Sequence, residues 1–100
     1  MEIKASDMEE LAERRGEQII SSTERKNGAY CYRYAVAVGG DSPLLYSIYA
    51  EWQHGGAKTV GVIPVFSADR MQAEHFCRLL ARMQATPLSL DAIYEDSLTP

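Results

Sequence analysis

The feature that most constrains this chain is an Asn27-Gly28 dipeptide followed, after Ala29, by the stretch 30–38, which alternates. Asn-Gly is a strong short hairpin signal, because a two-residue type I′ turn needs positive φ at both central positions. After it, Tyr30, Tyr32, Tyr34, Val36 and Val38 share one parity, as in a strand with one buried face. The stretch from Glu17, with the β-tolerant Ile19, Ile20, Ser21, Ser22 and Thr23, supplies the first arm ahead of that turn. Gly39-Gly40-Asp41-Ser42-Pro43 is a second turn and residues 44–53 a third strand, with Tyr46, Ile48, Ala50 and Trp52 on one face. His54-Gly55-Gly56 turns again into a fourth strand over 58–66, where Pro64 cannot donate to a ladder and argues for an edge or a strand end.

The turn lengths predict a register. Thr23 lies opposite Tyr32 and Ile19 opposite Val36. Val38 lies opposite Leu44, Tyr34 opposite Ile48 and Tyr30 opposite Trp52, while Trp52 also meets Thr59 and Ile48 meets Ile63. Every pairing keeps the large residues on one face, so register and hydrophobic pattern agree.

From Ser67 the period becomes helical. Ala73, Phe76, Cys77, Leu80 and Met83 form an apolar stripe opposite Arg70, Glu74, Arg78 and Arg82. Ser67 is the expected N-cap, Asp69 favours the first turn, and Pro87 ends the run after Thr86, giving a helix over 67–84. Ser89 caps a last short helix carrying Leu90, Ile93 and Tyr94. At the other end, Ser6-Asp7-Met8-Glu9 fits a capping box and Gly16 a helix stop. Residues 1–16 are therefore either a short capped helix, with Met8, Leu11 and Ala12 on one face, or a mobile tail. The expectation is α+β: one domain over 17–100, a four-stranded antiparallel meander with the main helix across one face.

The helix followed by Ala85-Thr86-Pro87-Leu88-Ser89-Leu90-Asp91-Ala92-Ile93-Tyr94-Glu95-Asp96 resembles the close of a family of short, clostridia-type bacterial proteins known only as a domain of unknown function. The resemblance covers about residues 17–98. It implies the same order of meander, helix, Thr-Pro turn and acidic-ended helix, and it brings no activity and no site residue.

Composition bounds the function. The chain has 100 residues, 46% of them hydrophobic, enough for one core. A net charge of −4 argues against nucleic acid and against anionic membrane surfaces, whose recognition draws on Lys and Arg. No apolar run reads as a leader or span, so the expected location is the cytoplasm, with Cys31 and Cys77 as reduced thiols. Neither cysteine belongs to a CxxC, and neither His54 nor His75 has a second metal ligand at helical spacing. The glycine turns match no phosphate-binding loop. Cys77 falls on the apolar helix face, and Cys31 falls beside Glu24 and Glu51 in the expected register, which disfavours a thiolate. No catalytic residue, cofactor site or metal site is predicted. The tyrosines read as packing beneath the helix.

What remains is the other sheet face, with Ile20, Ala35, Ala37, Leu45, Tyr49, Val60 and Val62 around Arg33. So continuous an apolar patch is unusual on a soluble monomer. Met8, Leu11 and Ala12 look too few to cover it. The expected function is a non-catalytic module that uses this face to bind a protein partner or a second copy of itself. The alternative is a small-ligand domain with a tyrosine-lined pocket between sheet and helix.

Overall fold

The computed structural model describes residues 2–4, 8–39 and 45–86. They form a five-stranded antiparallel sheet with one helix on each face, an α+β fold. In chain order the elements are β1 (Glu2–Lys4), α1 (Met8–Arg14), β2 (Glu17–Asn27), β3 (Tyr30–Gly39), β4 (Tyr46–His54), β5 (Ala57–Ser67) and α2 (Arg70–Met83). The strand order is β1-β5-β4-β3-β2. Four strands make the expected meander. The fifth, β1, was not expected: it pairs Glu2 with Val62 and Lys4 with Val60.

The first hairpin turns at Gly28-Ala29, because Asn27 itself pairs with Tyr30. Gly28 takes the left-handed conformation at φ 63°, which a glycine enters without steric cost. Thr23 therefore meets Tyr34, two positions from the expected partner, and an even slip leaves each residue on its predicted face. The second hairpin slips likewise: Val38 meets Tyr46, Tyr34 meets Ala50, and Tyr30 meets His54. The third matches the expectation, with Trp52 opposite Thr59 and Ile48 opposite Ile63.

Two bulges alter the rest. In β2 the register shifts between Ile19, opposite Ala37, and Ser21, opposite Val36. A bulge puts two residues against one and resets the alternation. Ile20 thus packs on the α2 side and Ile19 on the α1 side, the reverse of the predicted placement. Between β4 and β5 a second shift falls between Tyr46, opposite Ser67, and Ile48, opposite Ile63. Pro64 lies in that interval and is exposed; β1 pairs β5 only over 60–62, so among the described residues no strand lies outside β5 at Pro64, as its missing donor leads one to expect.

α2 begins later than predicted. Asp69, not Ser67, is the N-cap: its Oδ1 accepts from the Met71 and Gln72 amides at 2.9 and 3.4 Å. Ser67 Oγ accepts from the Asp69 amide at 2.9 Å and so fixes the cap itself. The helix closes at Gln84, which is left-handed at φ 51°. Beneath α2, Ala73, Phe76, Cys77, Leu80 and Ala81 are buried against Tyr34, Val36, Ile48, Ala50 and Ile63. The proposed capping-box residue Ser6, the 40–43 turn and the short helix after Pro87 lie outside the described residues.

Candidate functional site: the free edge of β2

The predicted binding face is not open. α1 lies on it, and Ala35, Ala37, Tyr49, Val60 and Val62 are fully buried beneath Met8, Leu11 and Ala12. Met8, Leu11 and Ala12 join them in one apolar cluster, with Ile19 packed against it. Arg33 ion-pairs with Glu9 of α1, Leu45 is half-buried, and Ile20 is on the other side of the sheet.

Buried carboxylates fasten α1 in place. Glu51, almost wholly buried, accepts a hydrogen bond from the Met8 amide at 3.0 Å, so a β4 side chain caps the helix. Glu17 accepts from the Ser47 and Tyr49 hydroxyls, and Arg15 Nε donates to it at 3.0 Å. The Tyr49 phenol is held well above its ordinary range, by burial first and then by Glu17. It is a hydrogen-bond donor here, not a base. This network pins the α1–β2 connection to β4.

The residues of possible chemistry are dispersed. The Cys77 thiol, buried under α2, is pushed up to about 12, chiefly by desolvation. Cys31 lies between Lys26 and Gln53, not beside Glu24 and Glu51 as expected. Among the described residues no three His, Cys, Asp or Glu side chains converge as metal ligands would. Nor is the layer under α2 laid out as a tyrosine-lined pocket: Tyr34 is fully buried and its hydroxyl donates to the Ala85 carbonyl at 2.5 Å. Tyr30, Tyr32, Trp52 and His54 do not all pack under the helix. They form a ladder of rings at the hairpin end, with Tyr30 and His54 stacked at 4.3 Å and Tyr30 39% exposed.

The unoccupied feature is an edge. β2 is the longer of the two terminal strands, and among the described residues nothing pairs with its outer side. Its 11 residues run roughly 35 Å and offer alternate unpaired amides and carbonyls. A groove borders it on each face. On the α1 side an open groove of about 500 Å³ is lined by Glu9, Ala12, Glu13, Gly16, Glu17, Gln18 and Ile19. On the α2 side a smaller one of about 140 Å³ lies among Ser21, Thr23, Glu74, Cys77 and Arg78. The meander already implied that residues 17–27 form an edge. The grooves were not legible, because they depend on where both helices lie across the sheet.

No family model, curated protein or solved structure matches this chain. No helix among the described residues is long and apolar enough to cross a membrane.

Proposed function

We propose that this protein is a small non-catalytic binding module that takes up an extended polypeptide segment as an added strand along β2. The observation that carries this reading is the coincidence of an edge that no strand among the described residues pairs with and a groove on each of its faces. Strand addition draws affinity from main-chain hydrogen bonds and selectivity from pockets that receive alternate side chains. β2 offers both, on a strand whose start is pinned by the Glu17 network. Its bulge at Ile20 and the run Glu24-Arg25-Lys26 are features that discourage indiscriminate edge pairing. Cys31 and Cys77 are free thiols, which suits a reducing compartment such as the cytoplasm. The small-ligand reading has less support, since Tyr34 has spent its hydroxyl within the fold.

The reading is tested by selecting binders from a random peptide library displayed on phage and titrating them into ¹⁵N-labelled protein. The expected result is shifts at the amides of residues 17–27 and at the facing turns of α1 and α2. Binding should be lost when alternate peptide nitrogens are methylated. Shifts confined to the Tyr30–His54 ladder would place the binding surface elsewhere.

A further inference from the structure

The two grooves differ in chemistry, and the difference says what kind of segment fits. The α1–β2 groove has an apolar base of Ala12 and Ile19, with Glu9, Glu13 and Glu17 around it and no cation in its lining. Glu9 is engaged by Arg33, and Glu17 by Arg15, Tyr49 and Ser47. Glu13 is exposed and has no ion-pair partner among the described residues. An apolar base beside Glu13, the one carboxylate of the lining left without a cation among the described residues, suits a side chain with an aliphatic stem and a cationic head. The α2–β2 groove holds about 140 Å³, space for a short side chain.

We infer that the segment added along β2 is basic, laying a Lys or Arg in the α1–β2 groove and a short side chain in the α2–β2 groove. This rests on the reading of β2 as a strand-binding edge. A second copy of this chain fits less well. Antiparallel pairing of two β2 edges needs a two-fold axis perpendicular to the sheet, which keeps both α1 helices on the same side. Registers centred near Ile19 then bring the two acidic grooves together. Registers centred on Glu24 or Arg25 set that residue against its own charge, and like charges directly opposite are destabilising.

The test uses two blocked heptapeptides, Thr-Val-Thr-Lys-Thr-Val-Thr and the same sequence with Glu replacing Lys, titrated into the ¹⁵N-labelled full chain. The Lys peptide should shift the amides of residues 17–23 and of α1, and bind more tightly than the Glu peptide. Glu13→Lys, at an exposed position, should weaken the Lys peptide about fivefold and strengthen the Glu peptide. Added salt should narrow the gap. Equal binding of both peptides at β2, unmoved by Glu13→Lys, would overturn the charge inference and leave the edge reading standing. No β2 shift with either peptide would overturn both. Concentration-dependent β2 shifts without peptide, with a rising mass in light scattering, would make the occupant a second copy.

Discussion

The two faces of the sheet are covered by helices held in different ways. α2 has 14 residues and five buried side chains, and it rests on Tyr34, Val36, Ile48, Ala50 and Ile63. α1 has 7 residues and three buried side chains, too short to be stable in isolation. It is positioned by two polar fastenings from the sheet, Glu51 to the Met8 amide and Arg33 to Glu9, while Glu17 at the start of β2 ties the α1–β2 connection to Tyr49 and Ser47 of β4. An apolar interface tolerates loss of one polar group, whereas a buried hydrogen-bonded carboxylate does not. The α1 side should therefore be the more readily opened unit. It also forms one wall of the larger groove beside β2.

This contrast can be broken from either side. The largest expected effect is on the α2 side. Phe76, 4% exposed and stacked on Phe66 at 4.7 Å, should cost about 3–5 kcal/mol when replaced by Ala, read by urea unfolding. A loss below about 1 kcal/mol would mean that the α2 core does not depend on it.

On the α1 side, Glu51→Ala removes the acceptor of the buried Met8 amide and should cost about 1–3 kcal/mol. Hydrogen exchange should show faster opening of 8–14 with 70–83 little changed. Equal acceleration in both helices would merge the two units into one. Asp69→Ala removes the α2 cap, and its expected cost is about 1 kcal/mol, seen as fraying of the first turn of α2.

The last effect is a pH dependence that has no slope near neutral pH. Cys77 is raised from its ordinary 9.0 to about 12 by burial. The native state thus binds more protons than the unfolded chain between those values. The contribution of Cys77 is fully present below about pH 9 and is lost as pH rises toward 12. Tyr34 and Tyr49, also raised by burial, act in the same direction at higher pH. Stability should fall from about pH 9 upward, and Cys77→Ala should flatten the first part of that fall without changing the slope near pH 7. An unaltered alkaline profile would show that Cys77 is not the group responsible.

The strands and α2 were legible because alternation and helical period are local properties, and an even slip in register does not disturb them. Thr23 moved by two partners and stayed on its face. Ile20 did not, because a single bulge reverses parity and no residue type announces it. The three residues of β1 are too few to carry a pattern. The apolar stripe Met8, Leu11 and Ala12 was visible, but not that it shares one buried cluster with Ala35, Ala37, Tyr49, Val60 and Val62. Nothing in the sequence marks Glu51 or Glu17 as a fastening, since only their partners' positions show it. The same holds for the functional surface. An apolar face drew attention, while the grooves beside the edge strand exist only once both helices are placed.

Amide hydrogen exchange along β2 in the free protein tests the central claim, that β2 presents an open edge, most directly. The account predicts an alternating pattern over residues 21–27: amides directed at β3 protected, and those directed outward exchanging at near-unprotected rates until a peptide strand is added. Uniform protection of these amides in the free monomer would mean that the edge is already filled, and would contradict the account.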